Sequence, residues 1–267
     1  MNGAYRLEGQ PRLALRGISK RYGSVNALDH VDFEVYAGEV VALVGDNGAG
    51  KSTLVKTIAG AHRADAGEIL FDGRPVIIDS PHAATALGIA TVYQDLALCD
   101  NLDIVANLYL GREKKRAIVP GTGRFLAENE MEREARRVLE SLSVKLPSLR
   151  RPVATLSGGQ RQSVAVSRAV LWGSNVVLLD EPTAALGVEQ TAMVQQLILR
   201  LRERGLAVVV ISHNLVDVFQ VADRIIVLRL GRRVGSFIRA ETDPGQVVGA
   251  ITGGSTLPGY GTREALA

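Results

Sequence analysis

A glycine-rich loop that ends in lysine and serine restricts the fold of this chain more than any other feature. Residues 45–52 read GDNGAGKS, which matches the pattern Gly-x4-Gly-Lys-Ser/Thr. The loop follows the apolar run 40–44 and precedes a segment in which Leu54, Ile58 and Ala59 recur on one helical face. A buried strand, a glycine-rich turn and a helix in this order predict an α/β core, with the loop at the carboxyl edge of a parallel sheet.

This loop pattern is typical of nucleoside triphosphate binding. Its glycines let backbone N–H groups turn inward around phosphates, next to the positive end of the following helix. Lys51 is expected to reach the β- and γ-phosphates, and the Ser52 hydroxyl to bind Mg²⁺. A plain glycine-rich turn with a solvated lysine would not need a strand and a helix on the two correct sides. The predicted nucleotide-binding residues of the loop are Gly45, Asp46, Asn47, Gly48, Ala49, Gly50, Lys51, Ser52 and Thr53.

A second apolar run ends in two carboxylates. Residues 176–179 read VVLL and are followed by Asp180, Glu181 and Pro182. An isolated Asp-Glu pair is usually a solvated turn, but four buried-type residues before it favour a functional interpretation. A carboxylate delivered by a strand beside a phosphate loop is the usual second holder of Mg²⁺, and Asp180 is predicted to take that role.

The pentapeptide LSGGQ makes the pattern specific. It consists of Leu156, Ser157, Gly158, Gly159 and Gln160, and lies about a hundred residues after the phosphate loop. Residues 161–171, which follow it, are expected to form a helix. Many unrelated proteins carry the loop, but few combine it with LSGGQ. With this pair the chain resembles the ATP-binding cassette (ABC) family, from about residue 15 to about residue 235.

The resemblance implies roles for three further residues. Glu181 matches the family's catalytic general base, which polarises the attacking water. Gln94, in TVYQ, matches the glutamine that touches Mg²⁺ or the water and begins the helical subdomain; His213, in VISH, matches the switch histidine near the γ-phosphate. An isolated histidine at a strand end is more often a structural hydrogen-bonder, but here five motifs occur in the family's order. The implied catalytic residues are therefore Glu181, His213 and Gln94, and the implied Mg²⁺ ligands are Ser52, Gln94 and Asp180.

The resemblance also implies a partner subunit. In the family, LSGGQ acts on ATP that is held by a neighbouring nucleotide domain, so one set of motifs per chain predicts a head-to-tail homodimer. Tyr22 matches the aromatic residue on which the family stacks adenine, although exposed tyrosines near turns are common. Cys99 is the single cysteine; it excludes an intrachain disulfide and is interpreted as structural.

The predicted fold class is α/β: a P-loop NTPase core of the ABC type with an N-terminal antiparallel β subdomain and an inserted α-helical subdomain. Residues 31–35 alternate like a half-exposed strand, and residues 68–78 contain an Asp-Gly hairpin signal. The helical spacing of residues 128–142 indicates a helix in the insertion. The predicted organisation is a lead-in of residues 1–12, a core of residues 13–94 and 171–251, a helical subdomain of residues 95–170 and a flexible tail of residues 252–267.

Composition narrows the classes of partner. The 267 residues carry 31 basic and 28 acidic side chains, a formal charge of +3 that does not favour nucleic acid. No apolar run approaches the roughly 18 residues that a membrane span needs, and the N-terminus lacks a signal-like apolar core. The resemblance implies a location at the cytoplasmic face of a membrane, through a permease.

Two departures from the common ABC pattern indicate a branch of the family. Gly187 stands where an aspartate usually follows Ala-Leu, and Asn214 stands where an aspartate often follows the histidine. Both features resemble the ribose/xylose/fructose-type sugar importers, and the single set of motifs resembles their fructose type. The expected function is ATP hydrolysis that powers import of a monosaccharide, with a permease and an external sugar-binding protein as partners. An importer for a nucleoside or autoinducer, or a non-transport ABC switch, is the alternative.

Overall fold

The structure is a computed structural model that describes residues 9–117 and 124–254. Parts of the predicted lead-in (residues 1–8) and tail (residues 255–267) lie outside the described residues. The strands are β1 (Leu13–Tyr22), β2 (Val25–Val35), β3 (Val40–Val44), β4 (Ala66–Phe71), β5 (Arg74–Val76), β6 (Ile89–Val92), β7 (Lys115–Ala117), β8 (Arg124–Leu126), β9 (Val176–Asp180), β10 (Ala207–Ile211), β11 (Arg224–Arg229) and β12 (Arg232–Ile238). The helices are α1 (Lys51–Ile58), α2 (Pro81–Ala86), α3 (Ile104–Tyr109), α4 (Glu128–Ser141), α5 (Gly158–Leu171), α6 (Val188–Glu203), α7 (Leu215–Val221) and α8 (Pro244–Thr252).

A six-stranded sheet forms the centre of the molecule, in the order β12-β11-β3-β10-β9-β6. Strands β11, β3, β10, β9 and β6 are parallel, and β12 pairs antiparallel with β11 at the edge. All five residues of β3 and of β10 are buried, as expected for strands covered on both faces. The predicted buried parallel strands are therefore confirmed, and so is the fold class.

A second sheet is antiparallel, in the order β2-β1-β4-β5. Val31, Phe33 and Val35 of β2 are fully buried, which confirms the alternating pattern. Asp72 and Gly73 join β4 to β5 with φ angles of 47° and 69°, the left-handed pair that a two-residue hairpin requires. The inner face of this sheet and the central sheet share one hydrophobic core.

Helices α3, α4 and α5 enclose a separate hydrophobic cluster between Ile104 and Trp172. The predicted helix of residues 128–142 is found as α4, with Met131, Ala135 and Leu139 buried along one face. The sequence did not predict the short sheet β7-β8 that precedes α4. The division of the chain into a core and an insertion of residues 95–170 stays a prediction.

A buried ion pair joins the two sheets at the end opposite the phosphate loop. Arg224, at the start of β11, donates from Nε to Glu39 Oε1 at 2.8 Å and from Nη2 to the Glu34 carbonyl at 2.8 Å. Glu39 accepts a further bond from the Tyr36 backbone N–H. Because both charges are almost fully buried, loss of either partner would leave an uncompensated charge.

Within the described residues, no helix is both long and apolar enough to cross a membrane.

Candidate functional site

Four adjacent parallel strands end at one edge of the central sheet and bring the predicted site residues together. The loop of residues 45–50 follows β3, and His213 lies just after β10. Asp180 ends β9, with Glu181 next to it, and Gln94 follows β6. Because the order is β3-β10-β9-β6, these residues form one row along the carboxyl edge, where open α/β sheets bind their ligands.

The phosphate loop fits tightly into its surroundings, and two glycines make this possible. A Cβ at Gly45 (φ 148°) would lie 2.2 Å from the Leu228 carbonyl oxygen, and one at Gly50 (φ 103°) would lie 2.6 Å from the Ala27 carbonyl oxygen. Ala49 is buried, whereas Asp46 and Asn47 are exposed on the open side of the loop. Helix α1 begins directly after Gly50, so its unpaired N–H groups face the loop.

Lys51 lies across the mouth of the loop. Its Nζ donates to the Gly45 carbonyl at 2.6 Å and to the Asp46 carbonyl at 3.0 Å. Burial lowers the pKa of Lys51, and the negative charges of Glu181, Asp46 and Asp180 partly counteract this. The ammonium group is thus half-desolvated and held by neutral carbonyls, which is a suitable arrangement for receiving an anion. Ser52 and Thr53 follow in the first turn of α1, with Ser52 exposed.

Asp180 faces the loop from the end of β9. Burial raises the pKa of this carboxyl, and the nearby Glu181 raises it further, while Lys51 and Lys56 lower it. Without a ligand, nearby positive charges therefore do not fully balance the negative charge of the ionised Asp180. A divalent cation would supply the missing positive charge, and the predicted further ligands, the Ser52 hydroxyl and the Gln94 side chain, carry oxygen donors of the type that Mg²⁺ prefers.

This raised pKa leads to a stability prediction for Asp180→Asn. A group whose pKa is higher in the folded than in the unfolded state stabilises the fold when protonated, and that contribution is lost as pH rises through the folded pKa. At neutral pH the ionised Asp180 therefore destabilises the ligand-free fold. We expect Asp180→Asn to melt at the same temperature as the parent or higher without nucleotide, but to lose most of the rise that Mg²⁺-ATP gives the parent, as measured by scanning calorimetry.

Glu132→Gln is a control whose expected effect on ligand-free stability is opposite to that of Asp180→Asn. Arg150 lowers the pKa of Glu132, so this carboxylate stabilises the fold above its unfolded pKa, and the contribution is lost as pH falls. Glu132→Gln should lower the melting temperature slightly at neutral pH and leave the Mg²⁺-ATP effect intact. A large loss of ligand-free stability in Asp180→Asn would contradict the assignment.

Glu181 and His213 form the closest contact between two predicted catalytic side chains. Oε1 of Glu181 lies 2.7 Å from Nδ1 of His213. Glu181 has a φ of 49°, a left-handed conformation that costs a residue with a side chain about 1–3 kcal/mol. Its backbone N–H donates to the Ile211 carbonyl at 2.9 Å, which fixes this turn to β10. Glu181 is largely buried, whereas His213 is 73% exposed and can reach a ligand.

Gln94 and Tyr22 lie at the periphery of this row. Gln94 is exposed and no hydrogen bond to its side chain connects it to the other site residues among those described. Tyr22 ends β1 with 42% of its surface exposed, and its ring packs edge-on against His62 at 5.6 Å. Because the adjoining strand β2 brings the Ala27 carbonyl against Gly50, the hairpin that carries Tyr22 lies next to the phosphate loop.

The signature residues form the start of α5. Ser157 caps the helix by accepting from the Gln160 N–H at 3.3 Å, and Gln160 Oε1 accepts from the Ser157 N–H at 3.0 Å. This capping box moves the helix start to Gly158, so the prediction that the helix begins at Arg161 was wrong. A Cβ at Gly158 would lie 2.7 Å from Leu186, and one at Gly159 3.0 Å from Gln190. Leu156 is buried beneath the exposed Ser157.

Gly187 caps α6 without a side chain. Its φ and ψ of −72° and 168° are those of an ordinary N-cap, and a Cβ there would meet no atom within 4 Å. We expect Gly187→Asp to stabilise the protein by a few tenths of a kcal/mol, because the carboxylate can accept from the free N–H groups of α6. Calorimetry should show a small rise in melting temperature, whereas Gly187→Ala, with no acceptor, should show none. Equal melting of the two variants would contradict the capping argument.

The sequence analysis did not find Asp217 and Thr183. Asp217, in the first turn of α7, accepts from the Thr183 hydroxyl at 2.7 Å and from Asn214 Nδ2 at 3.1 Å. The sequence does contain a helix N-cap signal at Asn214, with an aspartate three residues later. Neither residue type, however, predicts which segment the aspartate contacts.

A cavity of about 290 Å³ lies between the phosphate loop and α7. It is lined by Val44, Gly45, Asp46, Asn47, His213, Leu215 and Ile251.

Comparison with known proteins identifies the family. The sequence profile of the ABC transporter family matches residues 28–184, more than half of the chain and the whole distance from the phosphate loop to the Asp180-Glu181 turn. The chain belongs to the ABC transporter family. It is an ATP-binding cassette and an ATPase of the ABC type.

Three relatives of this ABC cassette are import proteins. The fructose import ATP-binding protein FrcA of Rhizobium meliloti is 48% identical over 97% of this chain and 98% of its own length. The xylose/arabinose import ATP-binding protein XylG of Sulfolobus acidocaldarius is 45% identical over 90% of this chain and 93% of its length. The ribose import ATP-binding protein RbsA 1 of Rubrobacter xylanophilus is 45% identical over 89% of this chain, which spans 46% of that protein.

Solved ABC cassettes share the fold. An ATP-binding cassette of an ABC transporter in its ADP conformation has a TM-score of 0.79 and 27% identity, over 92% of this chain and all of that one. A dimeric structure of a bacterial ABC transporter cassette has a TM-score of 0.69 and 26% identity, over 85% of this chain and 98% of that one.

Proposed function

We propose that this cassette is the ATP-hydrolysing subunit of an importer for a simple sugar such as fructose, ribose or xylose. The observation that carries the proposal is the row of Lys51, Asp180, Glu181 and His213 along one sheet edge, in a chain that is 48% identical to a fructose import protein over nearly its full length. The core of residues 13–94 and 171–251 would bind ATP, and the inserted residues 95–170 would carry the signature motif.

The loop residues would hold the nucleotide. Lys51 would exchange its two carbonyl partners for phosphate oxygens, and the loop N–H groups would surround the phosphates. Tyr22 would stack on adenine with its partly exposed ring. Mg²⁺ would be held by Ser52, Asp180 and Gln94, and when bound it supplies positive charge that neutralises the phosphate oxygens.

Glu181 would act as the general base. A buried carboxylate at hydrogen-bond distance from an exposed imidazole can accept the proton of an attacking water, while His213 orients that water or the γ-phosphate. The strained turn at Glu181 supports this role, because such conformations persist at sites where geometry matters more than stability.

The signature residues would serve the ATP of a second copy. Ser157 is exposed and Gln160 is half-buried at the N-terminus of α5, where N–H groups and the helix dipole favour an anion. The adjacent Gly158 and Gly159 lie against Leu186 and Gln190, on the α6 side. A homodimer in which each copy completes the other's site fits this placement, and the likeness to a dimeric bacterial cassette supports it.

A groove next to Gln94 would receive the permease. It has a volume of about 300 Å³ and contains Tyr93, Trp172, Arg112 and Arg168. Arg112 stacks on the Trp172 ring at 4.8 Å, and Arg168 donates to the Ala97 carbonyl at 3.4 Å. Permease binding here would place the cassette on the cytoplasmic face of the membrane, with a sugar-binding protein on the other side.

Reconstitution tests the proposed function. The cassette is co-expressed with a sugar permease, purified from membranes as a complex and placed in vesicles with ATP and the sugar-binding protein of that permease. We expect uptake of a labelled monosaccharide from a panel of fructose, ribose and xylose, and no uptake with Glu181→Gln, which should still assemble.

Two results would count against the proposal. Uptake of a nucleoside in place of any sugar would overturn the choice of substrate but keep the importer. A cassette that hydrolyses ATP yet never purifies with a permease would overturn the importer itself.

A further inference from the structure

Asp217 joins three segments around the Glu181–His213 pair. Its Oδ2 accepts from the Thr183 hydroxyl at 2.7 Å and from Asn214 Nδ2 at 3.1 Å. Its Oδ1 accepts from Gln195 Nε2, in α6, at 3.1 Å. The three donors are uncharged, so the carboxylate is the single charge in this cluster of four side chains. A partly buried charge that receives three hydrogen bonds is held in one position.

Two of the three donors are attached to the turns that present the catalytic residues. Thr183 lies two residues after Glu181, with the buried Pro182 between them. Asn214 directly follows His213, and its own backbone N–H donates to the Ser212 hydroxyl at 3.0 Å. One carboxylate therefore fastens the end of β9 to the end of β10, next to the 2.7 Å contact between Glu181 and His213.

We propose that Asp217 is a positioning residue for ATP hydrolysis, and that Asn214 is the partner matched to its charge. Asp217 acts through Thr183 and Asn214 and keeps the base and the histidine at their working separation. The inference rests on the proposed roles of Glu181 and His213. It also gives a reason for the asparagine at position 214 that the sequence alone did not.

The match between Asn214 and Asp217 depends on which residue carries the charge. An aspartate at position 214 would place a second carboxylate about 3 Å from the first, where like charges disfavour each other's ionised form. The double variant Asn214→Asp/Asp217→Asn again pairs one carboxylate with one amide. The amide of Asp217→Asn has two N–H groups, which can donate to the carboxylate of Asn214→Asp and to the Thr183 oxygen, while its carbonyl still accepts from Gln195.

The experiment measures ATP hydrolysis by the full-length cassette for single and double variants. We expect Asn214→Asp to lower kcat by about 10- to 100-fold, because small misplacements of catalytic groups have effects of this size. The KM for ATP should stay within about twofold, since the phosphate loop is untouched. The double variant Asn214→Asp/Asp217→Asn should recover kcat to within about threefold of the parent. Asn129→Asp, which adds the same charge on the exposed face of α4, is the control and should leave both constants unchanged.

Thr183→Val is a second route that does not depend on the charge change. It removes one donor to Asp217 with little change in side-chain volume, and should also lower kcat with KM preserved. If Asn214→Asp does not fold, the kcat of Thr183→Val tests the positioning role of Asp217.

The outcomes separate two failures. If Glu181→Gln hydrolyses ATP at the parental rate, the proposed base is wrong and this inference falls with it. If Glu181→Gln is inactive but Asn214→Asp and Thr183→Val keep the parental kcat, only the positioning role is overturned. A folded double variant that stays as slow as Asn214→Asp also overturns it.

Discussion

The substitution Glu181→Gln is expected to lower the rate of ATP hydrolysis by about 10²- to 10⁴-fold, the usual contribution of a general base. The amide keeps the shape of the carboxylate and the oxygen that faces Nδ1 of His213, so the local structure should persist. The backbone bond from Glu181 to Ile211 is also untouched. An amide cannot take the proton of the attacking water, however. ATP should then stay bound, and the ATP-bound closed dimer should accumulate.

Two measurements on purified protein check this expectation: phosphate release at saturating ATP, and sedimentation with and without ATP. The variant should bind ATP like the parent, release phosphate very slowly and sediment as a dimer in the presence of ATP. Glu189→Gln removes an exposed carboxylate in the first turn of α6 and should behave like the parent in both assays. Vigorous turnover by Glu181→Gln would show that another group is the base.

The elements with a strong local signal were predictable from the sequence. The wholly apolar runs of β3 and β10 can be buried only in a sheet covered on both faces, and the Asp72-Gly73 pair fits only a tight turn. The phosphate loop could be located because its glycines and lysine are adjacent in the chain. The pairing of this loop with LSGGQ gave the family, which the profile match confirms.

Features that depend on contacts between distant segments were not predictable. The strand order places β10 between β3 and β9, so the histidine comes within reach of Glu181 through pairing that no local pattern encodes. The hydrogen bonds of Asp217 were not predictable for the same reason, since their donors come from three separate segments. The start of α5 was misplaced because a capping box made of Ser157 and Gln160 outweighs the low helix propensity of two glycines.

The substitution Lys51→Ala is expected to weaken ATP binding by about 10- to 100-fold, because a hydrogen bond to a charged group contributes about 1.5–3 kcal/mol and each 1.4 kcal/mol is a factor of ten. The ammonium group is already half-desolvated against two loop carbonyls, so the protein gives up little further hydration when phosphate replaces them. Alanine leaves those carbonyls facing the phosphates with no positive charge between them.

Titration calorimetry with Mg²⁺-ATP measures the effect of Lys51→Ala, and Lys56→Ala is the matched control on the same helix. Lys56 is exposed in the last turn of α1, so its loss removes a positive charge from α1 without opening the loop. We expect Lys56→Ala to bind ATP within about twofold of the parent, since exposed charges are screened by solvent. If Lys51→Ala and Lys56→Ala bound ATP with equal affinity, the lysines of α1 would act on ATP only through their overall positive charge, not through a specific contact of Lys51. A selective loss in Lys51→Ala would place the decisive charge at the mouth of the loop, next to Asp180 and the contact between Glu181 and His213.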